Sequence, residues 1–192
     1  MSKIVAIVVA GGTASRFHGT SHKLLLPSSN RNILEQSLCL FEDHAKINFL
    51  VLVAHPSLMS SIKSASYAKL KGIVEGGRNR QESVFLGLKK VYDLFSQALP
   101  DYVLVHDAAR PNASPQLIDR LILELPSSHG VVPLIPLYDS LKSLENEQIK
   151  SVATSPSWYR TQTPQAFSFD LLYQSSRSEE RRVGKECRYR WS

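Results

Sequence analysis

Cysteine is scarce in this chain of 192 residues: there are two, Cys39 inside an apolar helical pattern and Cys187 near the end. Two thiols so placed supply neither a disulfide framework nor the paired CxxC spacing of a metal site. Long apolar runs are missing as well. Residues 4–10 are apolar throughout but too few to cross a bilayer, and the small-residue cleavage site of a signal peptide is absent. A cytoplasmic protein is therefore expected, or a plastid stromal one in a plastid-bearing organism, with no membrane partner. The first glycine loop lacks the G-K-[ST] of a Walker A motif and the G-x-G-x-x-G of a dinucleotide site. That disfavours an oxidoreductase of the Rossmann type.

An even spread of charge is also lacking. The formal net charge is +6, and the segment 177–192 contributes six Lys and Arg against three Glu, half of the excess. That segment has no apolar periodicity, and the abrupt change after Ser176 suggests a foreign or frame-shifted extension. Aromatics interleave it only at Tyr189 and Trp191, too few for a stacking platform, so no nucleic acid partner is expected. The domain is expected over residues 1–176.

What is present is an alternation of apolar segments. Hydrophobic residues make up 43% of the chain, enough for one good core at this length. Residues 4–10 and 49–54 are continuous apolar runs, the signature of strands buried on both faces. Leu34, Leu38 and Phe41 follow Asn32 at helical spacing, and Pro56 opens a second helical stretch ending near Tyr67. Residues 72–75, 102–105 and 130–135 predict further strands. Val84, Leu88, Val91 and Phe95 mark one intervening helix, and Leu117, Leu121 and Leu125 after Ser114-Pro115 mark another. Such repeats predict an α/β fold with a mostly parallel open sheet and helices on both faces. The polar segment at about 138–157 reads as a projecting β-arm.

In an open parallel sheet, ligands bind beyond the carboxyl ends of the strands. The first loop there holds Ala10, Gly11, Gly12 and Arg16, followed by Lys23. Glycines let the backbone approach a phosphate, and the two cations neutralise it, so polyphosphate binding is favoured over a plain tight turn. The second, residues 76–83, again places glycines at a helix start, where amides favour anions or base edges; alone it could be a simple connection capped by Asn79. The third contains His106, Asp107 and Arg110. Asp107 suits Mg²⁺ or a ribose hydroxyl and Arg110 a second phosphate, with a structural Asp–Arg pair as the alternative. His106 reads as a packing or hydrogen-bonding histidine rather than a general base.

These blocks, with Asp139-Ser140-Leu141-Lys142 and Gln162-Thr163-Pro164-Gln165, stand in an order and spacing that resembles the 2-C-methyl-D-erythritol 4-phosphate cytidylyltransferases of the non-mevalonate isoprenoid pathway, from about Ile4 to about Leu172. The resemblance implies a Rossmann-like nucleotidyltransferase fold, CTP and a sugar-alcohol phosphate as substrates, Mg²⁺ as cofactor, and a homodimer joined through the arm. By that likeness Ala10, Gly11 and Gly12 lie along the cytidine and phosphates, Gly77 and Ser83 read the cytosine, and Ala108 touches the ribose. Arg16 and Lys23 stabilise the transition state; Asp107, Arg110, Thr163 and the partner's Ser140 hold the acceptor.

The chain also departs from the family. Ala14 and His22 stand where Gly and Pro are common, changes that a loop absorbs. The arm arginine that positions the acceptor phosphate would fall near Thr154 or Ser155, neither of them basic, and the N-I-K lysine and its following terminal helix have no counterpart after Leu172. A ribitol 5-phosphate cytidylyltransferase, or a catalytically silent CTP-binding or dimerisation module, is the alternative on that ground.

Overall fold

A computed structural model describes residues 2–12, 22–28, 30–62, 66–139, 141–153 and 158–180. Strand β1 (Ile4–Ala10) is buried along almost its whole length. A short 3₁₀ turn at Lys23–Leu25 and a small ribbon of β2 (Pro27–Ser28) with β3 (Arg31–Asn32) lead into α1 (Ile33–Glu42). Asn32 caps α1 by accepting the Glu35 amide, and the Glu35 carboxylate returns to the Asn32 amide, a reciprocal capping box. Then come β4 (Phe49–Ala54), α2 (Pro56–Met59), β5 (Leu70–Glu75), α3 (Arg80–Phe95), β6 (Tyr102–Asp107) and α4 (Pro115–Glu124). A 3₁₀ turn at Leu125–Ser127 is followed by β7 (Gly130–Val131), β8 (Leu134–Pro136), β9 (Leu141–Glu145), β10 (Gln148–Ala153), β11 (Tyr159–Thr161), β12 (Gln165–Ser168) and α5 (Phe169–Glu180).

The main sheet runs β5-β4-β1-β6-β12-β7. Its first four strands are parallel, whereas β12 lies antiparallel to both β6 and β7. Because successive side chains alternate, β1 feeds two cores. Ala6 and Val8, with Leu50, Leu52 and Leu104, pack under Leu34, Leu38 and Phe41 of α1 and Ile118 and Leu121 of α4. Val5 and Ile7, with Val51, Val53, Val103 and Val105, meet Val84, Leu88 and Val91 of α3 and Phe169 of α5. The predicted mostly parallel α/β sheet, helices on both faces, is what forms.

Three elements differ from expectation. The helix from Pro56 stops at Met59, short of Tyr67. The strand expected over 130–135 is two: Pro133 has no amide to donate to a ladder, so the chain leaves the main sheet after Val131 and re-pairs at Leu134 with β11. Helix α5 runs through Ser176, so the change in composition there is not an element boundary. The arm appears as β9 and β10, antiparallel and joined by Asn146 and Glu147, both at positive φ, as a type I′ hairpin turn requires.

Helix α3 approaches the sheet closely at Gly87, where an added Cβ would stand 2.7 Å from Ile7 Cγ2 and 2.9 Å from Val53 Cγ2. Alanine at a helix interior gains about 1 kcal/mol of propensity over glycine, yet overpacking a filled core costs about 1–3 kcal/mol. Gly87→Ala is expected to lower the urea midpoint; a raised midpoint would show slack between α3 and β1.

Candidate active site

The parallel strands end level with one another. Val9 pairs with Asp107, Ala10 with Ala54 and Ala54 with Glu75, and the loops that follow are tied back to their neighbours. The His55 amide donates to the Ala10 carbonyl, Gly76 to Ala54 and Ala108 to Val9, each at 2.9–3.0 Å. These loops enclose a cleft of about 920 Å³, within the range of small-molecule sites. Four cationic side chains, Lys23, Arg78, Arg80 and Arg110, line it against two acidic ones, Glu75 and Asp107. The balance favours a polyanionic ligand.

Glycine is required at the back of the cleft. Gly11 and Gly76 meet backbone to backbone, so that a Cβ on Gly76 would fall 2.6 Å from the Gly11 Cα. The neighbouring loop is braced from within: Ser83 Oγ accepts the Gly77 amide at 3.0 Å and donates to the Asn79 carbonyl at 2.8 Å. Ser83 is buried, so its hydroxyl shapes the loop. Asn79 caps α3 by accepting the Glu82 amide, which delivers Arg80 as the first helical residue.

Arg80 then reaches across to the third loop. Its Nε donates to Asp107 Oδ1 at 2.8 Å and one terminal nitrogen to Gln165 Oε1 at 3.4 Å. Arg110 lies on the other carboxylate oxygen, with Nε 3.6 Å from Asp107 Oδ2, and also donates to Gln162. Both arginines are about half exposed, where such pairs contribute about 0–1 kcal/mol, so they orient the site more than they stabilise the fold. Each guanidinium carries five N–H donors, more than these contacts use. The Asp107–Arg110 pair foreseen as a structural alternative does form, and Arg80 completes it.

Behind Asp107 lies a buried polar chain. Thr163 Oγ1 accepts the Asp107 amide at 3.2 Å and lies 3.1 Å from His106 Nδ1. His106 is wholly buried, its ring edge-on to Phe41, and its Nε2 has no hydrogen-bond partner among the described residues. Burial pulls its pKa down to about 4 against the opposing charge of Asp107. Thr163 Oγ1 and His106 Nδ1 share one hydrogen, and the direction of that bond follows the tautomer of the ring.

Of the residues read from sequence, Ala10, Gly11, Gly12, Lys23, Gly77, Ser83, Asp107 and Arg110 line one cleft. Ala108 and Thr163 are buried against it, the Ala108 carbonyl accepting a hydrogen bond from Ser37 of α1 at 2.8 Å. Arg16, Ser140, Thr154 and Ser155 lie outside the described residues. Arg80 was missed, along with the glutamines as its and Arg110's partners. The sequence offered Arg78 and Arg80 two apart, and only the position of the Asn79 cap separates them. Asp107 was also read as a Mg²⁺ ligand. Both its oxygens face guanidinium groups, and no three His, Cys, Asp or Glu side chains converge among the described residues. A metal on Asp107 would have to displace a guanidinium from one of its oxygens.

The family model for 2-C-methyl-D-erythritol 4-phosphate cytidylyltransferase matches residues 4–187. The cytidylyltransferase of that name from Caldicellulosiruptor saccharolyticus is 32% identical over 171 residues, 88% of this chain and 74% of its own. The chain belongs to this family. It is also 35% identical over 181 residues to the bifunctional enzyme IspD/IspF of Rhodospirillum rubrum, matching 93% of this chain but 46% of that protein. It thus spans just under half the length of that two-function relative. Among solved structures, the 4-diphosphocytidyl-2C-methyl-D-erythritol synthase of Anaerococcus prevotii superposes with a TM-score of 0.77 at 26% identity, covering 98% of this chain and 80% of the other. The family's nucleotidyltransferase fold is therefore the fold of this chain. No described helix is long and apolar enough to cross a membrane.

His106 makes the site's floor acid-sensitive. Its folded pKa of about 4 lies below the ordinary 6.5, so the unfolded chain binds the extra proton first. The stability tied to neutral His106 is complete above about pH 6.5 and declines on acidification until about pH 4, a loss on the order of 3 kcal/mol. Urea midpoints at pH 7.5, 5.5 and 4.5 should fall more steeply for the wild type than for His106→Gln.

Proposed function

We propose that this chain transfers a cytidylyl group from CTP to 2-C-methyl-D-erythritol 4-phosphate and releases pyrophosphate, in the cytoplasm. One observation carries the reading. In a chain of this family, the cleft at the strand ends presents Asp107 clamped between Arg80 and Arg110 opposite a glycine loop and Lys23. A phosphate oxygen of the acceptor attacks the α-phosphorus of CTP; the bond to the bridging oxygen breaks, and pyrophosphate leaves with the electron pair. An ionised phosphate needs no base. That agrees with a histidine, His106, held neutral and shut away from the cleft.

Catalysis is then positioning and charge compensation. Lys23, with Arg16 by family likeness, offsets the charge gathering on the triphosphate. Gly11, Gly12 and the 76–77 turn give its backbone close approach. Asp107 accepts from an acceptor hydroxyl, and Arg110 and Arg80 supply donors to the acceptor phosphate, joined by Ser140 of a partner subunit on the family pattern. Thr163 acts from behind, through Asp107. Mg²⁺, which the family likeness implies, would enter with CTP and help to offset the charge of its phosphates.

Homodimerisation through the arm is part of the proposal. Around β8 and β11, Leu134, Ile135, Trp158 and Tyr159 are each close to half exposed, and Tyr138 almost fully so. Exposed apolar side chains gathered on one short ribbon favour a partner at this end of the molecule. Sedimentation of the wild type is expected to show a dimer that Trp158→Glu converts to monomer.

Lys23→Ala should keep the wild-type circular dichroism spectrum while losing pyrophosphate release from CTP and acceptor by about 100-fold or more. Near-normal turnover would sink the assignment. Running the wild type with methylerythritol phosphate and ribitol 5-phosphate in parallel identifies the acceptor, and CTP-induced thermal stabilisation without pyrophosphate from either would mark a silent nucleotide-binding module.

A further inference from the structure

Lys23 stands on a very short element. The 3₁₀ turn Lys23–Leu25 is closed by two backbone hydrogen bonds, Leu25 N–H to the His22 carbonyl at 2.8 Å and Leu26 N–H to the Lys23 carbonyl at 3.2 Å. Buried Leu24 anchors it below, while Lys23 is exposed over the cleft. So little backbone does not by itself fix where the lysine sits relative to the glycine loop. A side chain does so. His22 Nδ1 accepts the Leu24 amide at 3.3 Å, and His22 Nε2 lies 3.1 Å from the carbonyl of Gly12, ten positions earlier.

From this we infer that His22 is a positioning residue for Lys23, clasping the lysine turn to the end of the first glycine loop. Only one state of the ring satisfies both contacts: a lone pair on Nδ1 for Leu24 and a hydrogen on Nε2 for Gly12. His55, from the loop after β4, packs its ring 5.9 Å from that of His22, so the clasp is backed on a third side. The backbone does not need the imidazole, since His22 has φ −62° and ψ 130°, angles that proline adopts equally well. The ring therefore caps the short turn through the Leu24 amide and bridges it to the glycine loop through the Gly12 carbonyl. This inference rests on the reading of the cleft as a CTP site.

The experiment compares His22→Pro, His22→Asn and His22→Gln with wild type. Proline keeps the backbone and removes both bonds; asparagine reaches only the Leu24 amide; glutamine reaches the Gly12 carbonyl. Calorimetry with CTP and with cytidine, which lacks the phosphates, reads the lysine's placement without turnover. For the proline and asparagine variants, CTP affinity should fall roughly ten-fold, about one charge-assisted hydrogen bond, with cytidine affinity unchanged. The kcat for pyrophosphate release should drop about ten- to hundred-fold with a smaller change in KM for the acceptor. Glutamine should recover most of both.

Equal losses for CTP and cytidine, a glutamine variant no better than proline, or wild-type values throughout would overturn the inference. A wild type that binds CTP but releases no pyrophosphate would defeat the transfer reading while the CTP-to-cytidine ratio still judges His22. Failure to bind CTP at all would defeat both.

Discussion

A strand that is apolar on both faces must be covered on both, and β1 is such a strand. Val5 and Ile7 point into one core, Ala6 and Val8 into the other, so β1 cannot lie at an edge or against solvent. It takes β4 on one side and β6 on the other, both parallel to it. Parallel neighbours oblige the chain to cross over by helices and return, which places the carboxyl ends of β1, β4, β5 and β6 at one rim. The glycine loops, Lys23 and Asp107 meet there because the hydrophobic effect settled where β1 goes. Little of the binding chemistry enters that decision.

The legible part of the sequence was the part with a period or a fixed offset. The apolar runs gave the four parallel strands, Asn32 and Ser114 marked helix starts, and glycines and cations after strand ends marked the cleft. What the sequence hid depends on geometry between distant segments. Arg80 is one of two arginines in its loop, and its pairing with Asp107 spans 27 positions. The fate of the Ser83 hydroxyl depends on how the loop folds back on itself. Proline at 133 was visible, but its effect was masked by the apolar residues on both sides, which read as one strand. The substitution of His22 for the proline common in the family looked neutral in sequence, because only the fold brings the Gly12 carbonyl within its reach.

The acidic residue at the centre of the cleft is a good example of why a residue type alone does not name a role. A carboxylate just beyond a parallel strand suits a metal, a hydroxyl or an arginine equally well. With guanidinium groups on both oxygens and its amide pinned by Thr163, Asp107 presents a fixed orientation, and its negative charge is already compensated. What such a group recognises in a ligand is hydrogen-bond direction. The two arginines beside it keep N–H donors to spare.

The route by which the chain returns from the arm has a further consequence. β11 gives way to β12 through Gln162, Thr163 and Pro164, and two of these hold the site: Gln162 bonds Arg110, and Thr163 bonds both His106 and the Asp107 amide. The Gln162 backbone amide also donates to the Pro133 carbonyl, between β7 and β8. The root of the arm and the Asp107–Arg110 wall of the cleft are thus held by one piece of backbone. In mechanical terms the strand that leads out of the arm is moored at the cleft wall, by Gln162 to Arg110 and by Thr163 to Asp107.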